Sequence, residues 1–179
     1  MKNKEFTFSS DGKLISLEDL EVTSKIAEDY FGTEKDPNQM ETSKENRLWV
    51  CENQKYVNIV YNNSKIIGFA FMLPCTKYLM DLFISIKINE RELFERIKKI
   101  KFDKELEVLY LCSTVIKKEF RKKGLATEAS LKLINKLTNN LDKRPILFYE
   151  DYSKEGETIA NKLANKTGLK LLSRKTKVQ

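Results

Sequence analysis

Between Lys117 and Lys123 the chain places five cations in seven residues, and Gly124 follows, then Leu125, Ala126 and further apolar positions at helical spacing. Before the cations lies a nearly unbroken apolar run from Leu106 to Ile116. The order is strand, basic turn, helix. Such a turn directs successive backbone N–H groups and the positive end of a helix at one point, an arrangement suited to a phosphate. Gly124 allows a bulky anion to come close, and Ala126 is small enough to do the same. A solvated basic turn that merely starts a helix is the plain alternative.

What else could do chemistry is limited by what is missing. The 179 residues include no histidine, which removes Ser-His-Asp triads, Cys-His nucleophiles and imidazole metal ligands together. Cys51, Cys75 and Cys112 are far apart and form no C-x-x-C pair, so neither a disulfide framework nor a metal site is expected. The net charge of +7 favours an anionic ligand. Cations confined to one short turn, with Phe120 as the single aromatic among them, argue against nucleic acid. No apolar run approaches the roughly 20 residues that cross a bilayer, and the start M-K-N-K-E-F-T-F carries no apolar signal core, so a cytoplasmic protein with no membrane partner is expected.

The elements that must position the basic turn follow from caps and periodicity. Glu5 to Phe8 alternates as a short first strand. Ser16 with Asp19 makes a capping box for a helix over 17–31, with Val22, Ile26, Ala27, Tyr30 and Phe31 on one face and Gly32 as the stop. Thr33 to Glu41 is a loop, and Ser43 caps a second helix through Trp49 and Cys51. Tyr56 to Tyr61 and Lys65 to Leu73 read as a hairpin, with Gly68 marking a bulge or a close approach and Pro74 ending the strand. Residues 75–104 read as a helical insertion, its second helix capped by Asn89 and Glu92. After the central strand and helix come a strand at Pro145 to Tyr149, a helix from Ser153 to Gly168, and a last strand from Leu169 to Ser173 ahead of a basic tail. The expectation is one mixed α/β domain over residues 1–179, with a mostly antiparallel central sheet flanked by helices.

Residues Ile116 to Ala126, I-K-K-E-F-R-K-K-G-L-A, resemble the acetyl-CoA signature R/Q-x-x-G-x-G/A of the GNAT acetyltransferase superfamily, here Arg121-x-x-Gly124-x-Ala126. The upstream hairpin and the downstream strand and helix agree with that family's order. The resemblance spans roughly Lys55 to Ser173 apart from the insertion. It implies that backbone near Thr114, Val115 and Ile116 pairs with the pantetheine arm, and that Arg121, Lys122, Lys123, Gly124, Leu125, Ala126 and Thr127 hold the pyrophosphate. It implies acetyl-CoA as cofactor, an amine acceptor attacking the thioester directly, and a monomer or homodimer.

Two departures concern the catalytic groups. Where many members carry a tyrosine acting as acid to the thiolate, this chain has Ala164; where they carry an asparagine early in the last helix, it has Glu157. The A-N-K-L-A-N-K-T-G-L stretch is similar to the branch acting on ribosomal-protein N-termini. Glu107, Tyr110 and Ser113 lie three apart on the central strand, and Tyr110 falls near the position of the general base in several members. Strict alternation puts Tyr110 and Cys112 on one face and Glu107, Leu109, Leu111 and Ser113 on the other, barring a bulge. Glu150 follows the penultimate strand, which in this family faces the central strand across the cleft. These four are the catalytic candidates. Each also has an ordinary reading as a solvated carboxylate, a core-edge tyrosine or a hydroxyl bonded to backbone. Trp49 with Tyr56 reads either as groove lining or as core.

Overall fold

The computed structural model describes residues 5–32, 35–102 and 106–175. Residues 33–34 of the expected loop, 103–104 of the expected insertion, and the tail from 176 lie outside them. In chain order the elements are β1 (Phe6–Phe8), α1 (Leu17–Phe31), α2 (Lys44–Glu52), β2 (Val57–Asn62), β3 (Lys65–Cys75), α3 (Lys77–Ile84) and α4 (Glu90–Ile97). Then follow β4 (Val108–Ile116), α5 (Leu125–Thr138), β5 (Ile146–Asp151), α6 (Lys154–Thr167) and β6 (Leu171–Lys175). The strands form one sheet in sequence order. The first three pairings are antiparallel and the last two, β4 with β5 and β5 with β6, are parallel. This is the mixed, mostly antiparallel sheet flanked by helices, with a helical insertion between β3 and β4, that the sequence implies.

Local chemistry sets most of the boundaries. Ser16 and Asp19 form the capping box, and Asn89 with Glu92 form another. Ser43, Thr76 and Ser153 cap α2, α3 and α6 by accepting a backbone N–H three residues on. Asn63 and Ser64 both take positive φ, 45° and 66°, as a two-residue hairpin turn between right-twisted strands requires.

The sheet separates two apolar layers. On one face α1–α4 pack over Phe71, Tyr110 and Phe148; on the other α5 and α6 pack over Met72, Leu109 and Leu147. Two sequence expectations change. Strand β3 does not stop at Pro74, which stays in the strand opposite Leu109. Pairing with β2 has already ended at Phe71, so Pro74 sits where β3 has become an edge, which tolerates a missing N–H. In α1 the buried stripe is Leu20, Thr23 and Ile26, whereas Val22 and Tyr30 are 42% and 41% exposed. Tyr30 is thereby left free to face a cleft.

The feature that matters for function is a divergence. β4 and β5 pair only from Val108 to Tyr110, opposite Ile146 to Phe148, although β4 continues to Ile116 and β5 to Asp151. Beyond Tyr110 the two strands splay, and among the described residues one edge of β4 has no strand partner.

Gly68 fixes where β4 ends. A Cβ at this position would lie 2.4 Å from the Val115 carbonyl oxygen and 3.0 Å from Ile116 Cα, both backbone atoms that cannot turn aside. Gly68→Ala is therefore expected to destabilise the fold by about 1–3 kcal/mol or more, read as a lower denaturant midpoint. An unchanged midpoint would mean that β3 and β4 are not held this closely.

Candidate functional site

The basic turn opens onto a cleft of about 620 Å³ between the first turn of α5, the end of β4 and the start of α6. After β4 a single 3-10 turn, Lys118–Phe120, leads to Arg121 in extended conformation. Lys122 then takes φ 64° and Gly124 φ 78°, and this pair of left-handed residues reverses the chain into α5. Gly124 occupies the N-cap position, and no side chain caps this helix, unlike the other five. Glu128 is the residue whose N–H bonds back to Gly124 O, at 3.0 Å. The N–H groups of Leu125, Ala126 and Thr127 belong to the first turn, which has no intrahelical acceptors, and the helix dipole adds positive potential there.

The structure brings most of the expected cofactor residues to this cleft. Thr114, Val115 and Ile116 form its floor; Lys122, Gly124 and the first turn of α5 form one wall. The Lys117 N–H donates to Ile67 O across the β3 side at 2.8 Å. By strand alternation Val115 also turns its backbone groups toward β3, while Thr114 and Ile116 turn theirs toward the side that β5 has left. Arg121 lines the cleft but also straps the loop: its Nε donates to Ile116 O at 2.9 Å, and its guanidinium lies 5.2 Å from the Tyr30 ring. Lys123 is not brought in; it pairs with Glu5 at 3.3 Å and lies over Phe6. Lys154 and Lys162, which the sequence did not single out, line the opposite wall from α6. Their spacing of eight residues places them on one helical face, a signal hidden among the many lysines.

Deeper in the splay the cleft runs into a cavity of about 100 Å³ that shares Tyr30 and Thr114 with it. Beyond lies a chamber of about 70 Å³, which shares Cys112, Ser113, Glu150 and Tyr152 with that cavity. A β-bulge shapes this end. Phe71 pairs with Ser113 but Met72 with Leu111, so Cys112 is the extra residue. The bulge shifts alternation by one, and Ser113 comes to the same side as Tyr110 rather than the opposite one expected from strict period two.

Two carboxylates face the chamber. Glu150 on β5 is paired with Arg174 of β6 at 3.3 Å. The other, Glu90, is the first residue of inserted helix α4; in the sequence the recognisable signal there belongs to the cap residues beside it, Asn89 and Glu92. Part of the Glu90 residue is accessible, but its carboxyl group is enclosed. Oε1 accepts from the Tyr110 hydroxyl at 2.8 Å and from the Cys112 thiol at 3.6 Å, and Oε2 accepts from the Met40 N–H at 3.0 Å.

Burial pushes the Glu90 carboxyl above its usual range, against the opposing pull of these donors and of Arg174. Burial also raises Glu150, which the charges of Glu90 and Asp36 reinforce and Arg174 opposes. Tyr110 and Cys112 are pushed well above their ordinary values by burial and by Glu90. They stay protonated near neutral pH and act as donors to Glu90, not as base or nucleophile.

Of the four catalytic candidates, Tyr110, Ser113 and Glu150 meet at this chamber. Glu107 does not: it is exposed and precedes Val108, at the end of β4 opposite the splay. Trp49 lies outside the chamber, stacked 6.4 Å from Tyr56 and edge-on to Phe94 at 5.2 Å, a packing role.

No protein-family model and no curated protein matches the chain. Among solved structures, a crystal structure of an acetyltransferase matches over 86% of each chain, at a TM-score of 0.45 and 16% identity. That likeness is too loose for any residue of the site to rest on it. No helix among the described residues is long and apolar enough to cross a membrane.

Proposed function

We propose that the chain is one acetyltransferase domain of GNAT type, using acetyl-CoA to acetylate a primary amine. The observation that carries this reading is the continuity of the basic, uncapped α5 turn with the splay of β4 and β5, which joins an anion site to buried carboxylates through one cleft. The residues present fit the cofactor. The first-turn N–H groups of Leu125 to Thr127, with Lys122, Lys154 and Lys162, suit its pyrophosphate. The free edge of β4 at Thr114 and Ile116 suits the amide-bearing arm.

Bound acetyl-CoA supplies the thioester acyl group, which is transferred as the C–N bond to the amine forms and the C–S bond breaks. Glu150 borders both the cavity at the thioester end and the acceptor chamber, and its raised proton affinity suits it to take the proton the amine sheds. Tyr110 holds Glu90, and Ser113 borders both spaces. A cytoplasmic location is part of the same proposal.

A second reading, a CoA-binding domain without turnover, is favoured by Ala164, which leaves no hydroxyl where the family's usual acid stands. Calorimetry with acetyl-CoA followed by thiol release over an amine panel separates the two. Binding with amine-dependent thiol release supports the transferase, binding without release on any amine supports the second reading, and no binding contradicts both.

A further inference from the structure

The acceptor chamber has the opposite character from the cofactor cleft. In a chain of net charge +7, the groups that act on it are Glu90 from α4, Glu150 from β5 and Asp36 from the loop after α1, against Arg174 from β6. Arg174 is committed: it pairs with Glu150 at 3.3 Å, donates to Ile88 O at 2.9 Å and lies 4.3 Å over the Phe83 ring. Among the described residues the hydrogen-bond donors to Glu90 are neutral: the Tyr110 hydroxyl, the Cys112 thiol and the Met40 N–H. Among the described residues no cation stands within ion-pair distance of it. An enclosed carboxylate without a cationic partner is costly, so its proton affinity rises, and an arriving cation relieves that cost.

The chamber also has an apolar side. Phe31, Met40 and Tyr152 supply apolar wall. Helix α4 holds that wall to the insertion, through the Met40 N–H on Glu90 and the Arg91 N–H donated to Asn38 O at 3.1 Å.

We propose that Glu90, brought in by the inserted helix, is the residue that selects the acceptor: with Glu150 it receives the ammonium of a primary alkyl amine, whose methylenes lie along Phe31, Met40 and Tyr152. This rests on the acetyltransferase reading and narrows its substrate class to cationic alkyl amines. Glu90 binds the charged form, Glu150 takes the proton, and the free amine is released at the Cys112–Ser113 bulge that borders the thioester end.

The test compares n-butylamine, cationic at neutral pH, with p-anisidine, neutral there. Wild-type protein is expected to acetylate n-butylamine with kcat/KM at least about tenfold above p-anisidine. Glu90→Gln is expected to raise KM for n-butylamine about tenfold or more and to lower kcat/KM for n-butylamine at least about tenfold more than for p-anisidine, while the Kd for acetyl-CoA stays within about twofold. Equal loss on both amines would mean a purely structural Glu90 and overturns the proposal, as does an unchanged KM for n-butylamine. Should the variant not fold, titration of wild-type protein with n-butylammonium chloride, followed by amide NMR, stands independently. Saturable shifts at Tyr110, Cys112 and Glu150 are expected, and their absence overturns the proposal. Failure to bind acetyl-CoA in calorimetry would instead overturn the transferase reading, and the butylammonium titration would still report on this chamber.

Discussion

Gly124→Glu is expected to lower the affinity for acetyl-CoA by at least about 100-fold, a loss of about 2.7 kcal/mol, while the chain still folds. Both halves of that expectation come from the same place. A Cβ on Gly124 meets nothing within 4 Å, so a side chain there enters open space rather than the core. The left-handed φ of 78° costs a non-glycine residue roughly 1–2 kcal/mol, which a stable domain survives. The new carboxylate would stand at the N-terminus of α5, where it can accept the first-turn N–H groups as a capping side chain does. It would thus put a fixed anion where the phosphates need to be. Gly124→Ala carries the backbone strain without the charge and should lose far less. Isothermal titration calorimetry on the three proteins decides the matter, and affinity in Gly124→Glu within about threefold of wild type would contradict the placement.

The second large effect concerns the proton. Glu150→Gln is expected to lower kcat/KM for the amine by about 10²–10⁴-fold, the usual worth of a general base, with acetyl-CoA affinity unchanged. The pH profile gives a sharper readout. Burial and the neighbouring Glu90 and Asp36 raise the Glu150 carboxyl above its ordinary value of 4.5. As pH falls toward that raised value the base is protonated and the rate drops, so wild type should show an acidic limb above pH 4.5. Glutamine does not titrate, so the limb attributable to this group disappears in the variant. A loss below about threefold with the limb intact would assign proton transfer elsewhere. Since Arg174 loses its ion pair with Glu150, thermal unfolding of the variant serves as the control for packing.

How far the sequence reached depended on the range of each interaction. Elements fixed by neighbours along the chain were legible: the capping box at Ser16 and Asp19, the Gly32 and Gly168 stops in left-handed conformation, and the strand, basic turn and helix around Gly124. Features decided across the sheet were not. Pro74 stays in β3 because β2 has already ended. The Cys112 bulge, which moves Ser113 to the side of Tyr110, arises from the pairing of β3 with β4. Val22 and Tyr30 fit the helical period of α1 but lie to one side of the stripe that meets the sheet.

The site divides in the same way. The residues proposed for the cofactor cluster on one turn and carry a motif, whereas the chamber proposed for the acceptor is assembled from α1, the loop after it, α4, β4 and β5, with Arg174 of β6 paired to its Glu150. Glu90 lies 20 positions from Tyr110 in sequence, and nothing beside it marks it out. Its role becomes visible only when the hydroxyl of Tyr110, the thiol of Cys112 and the N–H of Met40 are seen to converge on one carboxylate.

These two ends give the cleft a polarity, cationic at the α5 turn and anionic at the chamber, that matches a phosphorylated donor on one side and an amine on the other. The most direct test is an amide NMR titration of the wild-type protein with acetyl-CoA. Saturable shifts are expected together at Thr114, Ile116, Leu125, Ala126 and Thr127, with a common dissociation constant and competition by free CoA. No saturable shift, or shifts confined to residues outside the β4–α5 cleft, would contradict the account.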